Sequence, residues 1–180
     1  MPYKTIAASK IEIAQLMLPS NTNFGGKIHG GYILELMDQI AFACASKHSG
    51  SYCVTASVDQ VNFLMPIEVG ELVTMKASVN YVGHSSMVVG IRVEAENIRT
   101  GLIKHCNSSY FTMVAVNDSG KTQEVPGLII RNKKEAKRFI ESLKRREYEQ
   151  KKQADLKSIN RDINSQIELL KSHRVQVAFQ

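Results

Sequence analysis

The sequence of 180 residues is poor in cysteine and has no long apolar run. No stretch approaches the roughly 20 apolar residues that a membrane-spanning helix needs. The N-terminus lacks the charged-then-apolar layout of a signal peptide. Cys44, Cys53 and Cys106 are odd in number and have no CxxC spacing, which argues against a disulfide framework and favours reduced thiols. We therefore expect a cytoplasmic protein without a membrane span.

Motifs of common metal and catalytic sites are also missing. The histidines and cysteines are scattered, with no pair at ligand spacing, so we predict no metal site. The GxSxG, Walker and dinucleotide-binding fingerprints are absent. A cysteine nucleophile is disfavoured, because Cys44 lies in an apolar helical pattern and the other two cysteines lie in strand patterns.

The formal net charge of +6 comes entirely from the C-terminal part of the chain. Residues 1–131 hold 10 Lys/Arg and 10 Asp/Glu, whereas residues 132–180 hold 13 Lys/Arg and 7 Asp/Glu. Because no nucleic-acid recognition motif accompanies the basic residues, we predict a solvated helical face and no nucleic-acid partner. The composition divides the chain into a domain over residues 1–131 and a basic extension over residues 132–180.

The extension has a helical pattern from its first residue. Asn132 followed by Glu135 is the spacing of a capping box. An apolar stripe at helical spacing comes next, and near-heptad apolar positions resume after a polar stretch. These positions are Ala136, Phe139, Ile140 and Leu143, then Leu156, Ile159, Ile163, Ile167 and Leu170. We expect a C-terminal helical extension that packs on the domain or on another subunit.

Within residues 1–131 the apolar pattern changes its period along the chain. Residues 11–18 could form a strand, and residues 31–47 have a helical period with an unusually wide apolar arc. Such a helix needs another element to wrap it. Strand patterns then follow in quick succession over residues 54–58, 72–82, 87–96 and 102–116. One central helix with long antiparallel strands predicts an α+β fold with a strongly curved sheet.

The most informative stretch, residues 19–38, joins a polar, Gly-rich loop to the start of the predicted helix. Asn23 and His29 lie in the loop, and the Gly30-Gly31 pair precedes the apolar pattern. A helix start has free backbone N–H groups, which suit an anionic or carbonyl oxygen. Asp38 lies about two turns into the helix among apolar neighbours, where a partly desolvated carboxylate could act as a general base or nucleophile. The stretch therefore predicts a catalytic site.

Each of these residues also has a purely structural explanation. Asp38 could be a solvated acid on an exposed stripe, and Asn23 could serve only its turn, because Asn forms Asx turns. His29 could orient a ligand, act as a general base or simply occupy the turn. Gly30 and Gly31 fit either an oxyanion hole or tight packing at a helix start.

A second polar segment, Gly83-His84-Ser85-Ser86, separates two predicted strands. Most such segments are hairpin turns. With its N–H and hydroxyl groups, this one could instead hold a phosphate.

The pattern of Asn23, then His29-Gly30-Gly31, then Asp38, followed by long strands, resembles that of the hotdog-fold acyl-CoA thioesterases. Within this family the chain is most similar to the cytosolic acyl-CoA hydrolases, a branch with short bacterial and double-hotdog mammalian members. The similarity extends from about residue 8 to about residue 130 and is strongest in four segments, residues 54–67, 69–71, 82–86 and 111–116. His29 departs from this branch, where the position is often apolar.

The resemblance implies a hotdog fold, in which a long curved antiparallel sheet wraps the helix of residues 31–47. Two such domains pair so that their sheets join, and three pairs form a hexamer. The active site then lies at the dimer interface, with Asn23 from one subunit and Asp38 from the other. In this arrangement Asp38 activates water or attacks the thioester directly, and Asn23 positions the water or polarises the carbonyl.

The resemblance also gives roles to the two glycine-containing segments. Gly30 and Gly31 at the helix start would hold the thioester carbonyl oxygen. Gly83, Ser85 and Ser86 would contact the pantetheine or phosphates of CoA.

The expected activity is hydrolysis of fatty acyl-CoA to a free carboxylic acid and CoA by a homo-oligomer. No cofactor is expected, since CoA is part of the substrate and of the product. The alternative is a non-catalytic, regulatory hotdog module that binds acyl-CoA, and the presence of both Asn23 and Asp38 favours the enzyme. A hotdog dehydratase or hydratase is disfavoured, because its His and acid are placed differently.

Overall fold

The computed structural model describes residues 2–161 and 167–178. The chain divides into two compact units between Phe139 and Ile140. Besides the short 3-10 helix Pro19–Asn21, the first unit contains ten elements, counting the start of a long helix. They are β1 (Tyr3–Thr5), α1 (Ile6–Ser9), β2 (Ile11–Leu16), α2 (Gly30–Ser49), β3 (Tyr52–Val58), β4 (Glu71–Val82), β5 (Ser86–Asn97), β6 (Leu102–Val116), β7 (Gly127–Ile129) and α3 (Lys133–Arg161). The division predicted from composition, a domain over residues 1–131 and a basic extension over residues 132–180, stays a prediction.

The main sheet has five antiparallel strands in the order β2-β4-β5-β6-β3, and α2 contacts every one of them. A single helix can touch all five strands only if the sheet curves around it. The three long strands lie within one residue of the predicted bounds at each end. The predicted α+β fold, with a curved sheet around a central helix, is therefore confirmed.

The core lies between α2 and the concave face of the sheet. Alternate residues of β4, β5 and β6 point inward, as the period of two in a strand requires, and Val79, Val89 and Met113 are completely buried. The helix contributes a broad apolar face, in which Met37 and Ala41 have no exposed surface. This packing fixes the rotation of α2 about its axis. The rotation in turn decides which side chains lie on the exposed stripe of the helix.

The C-terminal end of α2 is enclosed. Gly50 ends the helix with a left-handed backbone, φ 76°, which glycine adopts without steric cost. His48, in the last turn, is fully buried, and its Nε2 lies 2.9 Å from the Pro126 carbonyl oxygen. Burial lowers the pKa of His48, so the neutral ring is favoured.

A small parallel sheet closes this enclosed end. β1 pairs with β7 in the register Tyr3–Gly127 to Thr5–Ile129. A Cβ atom at Gly127 would lie 2.5 Å from the Tyr3 ring, so glycine lets this ring pack directly on the β7 backbone. Lys4 Nζ donates a hydrogen bond of 2.6 Å to the His48 carbonyl oxygen. The first strand is thereby tied to the last turn of α2.

Strand β3 forms one edge of the main sheet, and its predicted alternation is only partly right. The strand is confirmed, but its buried side chain is Cys53, while Val54 and Val58 are 40% and 45% exposed. The register shifts between Thr55 and Ser57. Thr55 pairs with the buried Met113 and therefore lies on the side that faces α2, a placement that the simple alternation did not foresee.

Helix α3 begins as predicted after Asn132, whose Oδ1 accepts a hydrogen bond of 3.0 Å from the Glu135 N–H. The Glu135 carboxylate accepts a hydrogen bond of 2.8 Å from the Arg131 N–H, one residue before the position that a capping box requires.

The second unit holds the remainder of α3 and a 3-10 helix, Ile167–Ser172. The predicted heptad position Ile163 lies outside the described residues. No helix among the described residues has the length and apolar composition needed to cross a bilayer.

Candidate active site

Asn23 occupies a tight turn in the loop before α2. Its Oδ1 accepts hydrogen bonds from the N–H groups of Gly25 at 2.9 Å and Lys27 at 3.2 Å. This is the Asx-type arrangement that explains Asn in turns. The oxygen is occupied by the loop, whereas the Nδ2 group donates to no other described residue and the side chain is exposed. Asn23 is thus a fixed amide donor on the surface.

His29 is the N-cap of α2. Its Nδ1 accepts a hydrogen bond of 2.9 Å from the Gly31 N–H, which satisfies one of the free donors of the first helical turn. The expectation that Gly30 and Gly31 together offer two free N–H groups therefore needs correction, because the Gly31 donor is occupied. The Gly30 N–H is bonded to no described residue and remains available.

Gly30 lies beneath an aromatic ring. A Cβ atom at Gly30 would lie 3.2 Å from the Phe63 Cζ atom, which is closer than ordinary van der Waals contact. The adjacent Leu64 N–H donates to the Cys106 carbonyl oxygen at 2.8 Å and anchors this loop on β6. Phe63, Leu64 and Met65 are about half exposed. The start of α2 is therefore flanked by an apolar loop.

Asp38 lies on an exposed stripe of α2. Gly31, Glu35, Asp38 and Phe42 follow one another at helical spacing, and all four are exposed. The prediction of a partly buried acid is wrong for the single chain, because the buried Met37 precedes Asp38 in sequence and yet points toward another side of the helix. The carboxylate is open to solvent and to any ligand that reaches this stripe.

Thr55 holds the Asp38 carboxylate in place. The Thr55 Oγ1 donates a hydrogen bond of 2.6 Å to Asp38 Oδ1. One oxygen of Asp38 is thereby fixed, and the other remains available. The sequence reasoning missed Thr55. The one signal that could have identified Thr55 is its polar side chain in the strand that follows the helix with the acid.

The Gly83–Ser86 segment is a hairpin turn between β4 and β5. The Gly83 N–H donates to the Ser86 carbonyl oxygen at 2.7 Å, and the Ser85 carbonyl oxygen accepts from Ala115 at 2.9 Å. These backbone groups are therefore used in hydrogen bonds that form and anchor the turn. The hydroxyl groups of Ser85 and Ser86 bond to no described residue and could contact a ligand.

The structure places these residues in four groups: the Asn23 turn, the start of α2, the Asp38–Thr55 pair and the β4–β5 hairpin. No hydrogen bond joins Asn23 to Asp38 among the described residues. In the same part of the chain, no three His, Cys, Asp or Glu side chains come together as metal ligands. Burial raises the pKa of Cys44 to about 12, so this thiol does not supply a thiolate nucleophile.

An apolar surface surrounds the exposed acid. Phe42 packs edge-on against Tyr52 with ring centroids 5.4 Å apart, and both residues are exposed, as is Val54 on the edge strand. Contiguous exposed apolar residues next to an unpaired strand edge are typical of a surface that another chain covers.

The chain has clear relatives. Residues 25–102 match the family model described as the thioesterase superfamily. The chain is 43% identical over 143 residues to protein VdlD of Helicobacter pylori, covering 79% of this chain and 82% of that protein. It is 33% identical over 139 residues to the cytosolic acyl coenzyme A thioester hydrolase of Mus musculus, covering 76% of this chain but 36% of that protein.

Two solved structures of acyl-CoA thioesterases are also similar to this chain. An apo-hexameric acyl-CoA thioesterase superposes with a TM-score of 0.83 at 34% identity, covering 86% of this chain and 99% of that chain. The acyl-CoA hydrolase of Staphylococcus aureus, in complex with butyryl coenzyme A, coenzyme A and coenzyme A disulfide, superposes with a TM-score of 0.80 at 31% identity. This superposition covers 91% of this chain and 99% of that chain.

Three alanine variants of the S. aureus hydrolase have also been solved, and their substitutions replace an asparagine, an aspartate and a threonine. The asparagine precedes the aspartate by 15 positions, and the threonine follows it by 17. Asn23, Asp38 and Thr55 have the same two spacings. With the curved sheet around α2, these matches confirm the family resemblance. The chain belongs to the thioesterase superfamily, among the hotdog-fold acyl-CoA thioesterases.

Proposed function

We propose that this protein hydrolyses fatty acyl-CoA to a free carboxylic acid and CoA, with Asp38 as the reacting carboxylate. The observation that carries the proposal is the Asp38–Thr55 pair, an exposed carboxylate fixed at 2.6 Å on the open stripe of α2. Its spacing to Asn23 matches that of the residues substituted in the S. aureus hydrolase. The apolar surface around the pair supports an apolar acyl group as substrate.

The reaction needs one carboxylate and one water molecule. Asp38 takes a proton from water, the resulting hydroxide attacks the thioester carbonyl carbon, and the C–S bond breaks as the CoA thiolate leaves and accepts a proton. Alternatively, Asp38 attacks first and water hydrolyses the resulting anhydride. Thr55 fixes one carboxylate oxygen in either case, so that the other one faces the substrate.

The start of α2 suits the negative charge that develops on the carbonyl oxygen. The Gly30 N–H is the available donor there, and the positive end of a 20-residue helix adds to it. His29 acts by capping the helix and thereby fixing the direction of the Gly30 backbone. The half-exposed ring of Phe63 beside Gly30 provides an apolar wall for the acyl group.

The complete site is proposed to form between two copies of the chain. The edge strand β3 and the residues Phe42 and Tyr52 offer the apolar surface for this pairing. Asn23 of the partner subunit then presents its Nδ2 group to the water or the carbonyl next to Asp38. Ser85 and Ser86 would contact CoA through their hydroxyl groups. Hexameric relatives support an assembly of three such dimers.

The central test replaces the carboxylate with its neutral isostere. Asp38→Asn is expected to lower kcat by about 10²-fold or more, as removal of a general base does. Glu35→Gln is the matched control, because Glu35 lies one turn earlier on the same exposed stripe. Thiol release from a panel of acyl-CoA chain lengths measures both variants. Equal rates for Asp38→Asn and the wild type would overturn the proposal, and no thiol release by the wild type would favour the binding module.

A second experiment tests the shared site. Asn23→Ala and Asp38→Ala chains are each expected to be nearly inactive, but mixed dimers formed by subunit exchange would regain one complete site. The expected recovery is about a quarter of wild-type activity per chain. No recovery after verified exchange would show that both residues act within the same subunit.

A further inference from the structure

A cavity of about 680 Å³ lies on the face of the main sheet opposite α2. Its floor is formed by β4, β5 and β6, one wall by residues 6–12 and another by the first turns of α3. None of the predicted site residues lines it. The Tyr81 ring packs on Phe139 with centroids 5.0 Å apart and holds the start of α3 over β4. The cavity is thus built by packed elements of the first unit.

Positive charge dominates the lining. Five cationic side chains face two carboxylates: Lys10, Lys76, Arg92, Lys134 and Arg138 against Glu12 and Glu135. The Glu135 carboxylate is already engaged by the Arg131 N–H. Such an excess of one sign attracts anions.

Two of these cations lie directly opposite each other. Lys76 and Arg92 are register partners on β4 and β5, an arrangement that is unfavourable for like charges. Both form ion pairs with Glu94, at 2.8 and 2.7 Å, and Glu12 is the register partner of Lys76 on β2. The ammonium groups of Lys10 and Lys134 form no ion pair among the described residues. Lys10 and Lys134 therefore remain available to an anion in the cavity.

A buried amide also points into the cavity. Asn80 is only 4% exposed, and its Oδ1 accepts a hydrogen bond of 3.0 Å from the Ser78 hydroxyl. Its Nδ2 donates to no described residue and is available to a ligand in the cavity. A Cβ atom at Gly90 would lie 2.2 Å from this nitrogen. Because Gly90 has no side chain, the Asn80 amide has room at the cavity.

Helix α3 adds further donors at the same point. The Glu135 N–H is satisfied by Asn132, and the Ala136 N–H by the Asn132 carbonyl oxygen. The N–H groups of Lys133 and Lys134 remain without a partner among the described residues. The start of a helix with two free N–H groups suits a phosphate.

We propose that this cavity binds a small molecule that carries phosphate groups, at a site separate from the thioester site. The amide of Asn80, the first N–H groups of α3 and the side chains of Lys10, Arg92 and Lys134 supply the donors. A volume of about 680 Å³ is far larger than one inorganic ion needs and lies in the usual range for organic ligands. The same phosphate chemistry has two sources, an independent small molecule or the phosphates of CoA.

The test is calorimetric titration of the full chain with sodium pyrophosphate, with ionic strength held constant by sodium chloride. We expect saturable binding of one pyrophosphate per chain. Lys134→Gln is expected to weaken it about tenfold, as loss of one charge-assisted contact does. Lys133→Gln is the matched control, since it removes the same charge from the same helical turn but does not line the cavity. Asn80→Ala, checked for folding by thermal unfolding, should weaken binding as well.

The outcomes separate clearly. Absence of saturable binding to the wild-type chain, or equal losses in Lys133→Gln and Lys134→Gln, would overturn the proposal. A second titration in the presence of saturating CoA distinguishes the two sources. Unchanged pyrophosphate binding supports a separate ligand, whereas competition assigns the site to the phosphates of CoA and overturns the separate site. Because the titration needs no thioester turnover, its result is independent of the proposed hydrolysis.

Discussion

The two ends of α2 carry polar side chains in opposite environments. At the C-terminal end, His48 and Cys44 are completely buried, and burial disfavours the charged form of each. Toward the N-terminal end, His29 and Asp38 are exposed, and each is positioned by one specific hydrogen bond. The enclosed end stabilises the fold through packing, while the open end holds individual groups at defined points for a ligand.

This difference has a physical basis in the sheet. β1, α1 and the residue before β7 bond to the enclosed end, whereas the Phe63 loop and the edge strand β3 flank the exposed stripe toward the other end. A substitution at the enclosed end should therefore change stability, and one at the open end should change activity. The following experiments test this separation.

The largest effect is expected in the packed part of the helix. Ile40 is 2% exposed, so Ile40→Ala should lower the free energy of unfolding by about 2–5 kcal/mol, through lost burial and the cavity that remains. Gln39→Ala, one position earlier on the exposed side, should change it by less than about 0.5 kcal/mol. Urea unfolding measures both. A small loss for Ile40→Ala would show that the core is not closed at this point.

At the open end, Thr55→Val removes the hydroxyl but keeps the shape of the side chain. We expect kcat to fall about tenfold, equivalent to about 1.4 kcal/mol, with little change in KM, because the carboxylate loses its fixed orientation. Ser57→Ala on the same strand is the control. If Thr55→Val instead lowers stability and leaves kcat unchanged, the pair is structural and the two ends do not differ as described.

His29 could support stability as the N-cap of α2 or take part in catalysis, and two substitutions distinguish these roles. His29→Ala should lower stability by about 1 kcal/mol through loss of the N-cap. His29→Asn should restore stability, because Asn is a favourable cap. If His29 acts only as a cap, His29→Asn also retains kcat. A stable but inactive His29→Asn variant would show that the imidazole itself takes part in the chemistry.

The smallest effect is a pH dependence at the enclosed end. The pKa of His48 is lowered by burial below its ordinary 6.5. Below about pH 6.5 the unfolded chain binds a proton that the folded chain does not, so stability falls as the pH decreases from there toward the folded pKa. Thermal unfolding between pH 5 and 8 should show this slope, and His48→Gln should reduce it. An unchanged slope in the variant would assign it to other groups.

Periodicity was sufficient to predict the main elements of the first unit. The apolar arc of residues 31–47 identified the helix now bounded at Gly30 and Ser49, and the long alternating runs identified β4, β5 and β6. These signals are local, because each depends on residues a few positions apart. The spacing of Asn23 and Asp38 likewise pointed to the candidate site.

What the sequence could not reveal depends on contacts between distant segments. Thr55 reaches Asp38 because the register of β3 on β6 places it on the helix side, and a shift at the next residue reverses the alternation. The exposure of Asp38 follows from the rotation of α2 in the core. The cavity beside Asn80 needs a missing side chain at Gly90 and the start of α3, which lies more than 40 residues further along the chain.

The pairing of β1 with β7 joins strands that are more than 120 residues apart in sequence. Closing so long a loop costs conformational entropy, so this contact is expected to form late in folding and to open early. Its opening would expose His48, which lies against Pro126 and is bonded through its carbonyl oxygen to Lys4. Proteolytic loss of the first five residues would then return the pKa of His48 toward its ordinary 6.5 and remove the loss of stability that this histidine causes in acid, while Asp38, at the open end, is unaffected.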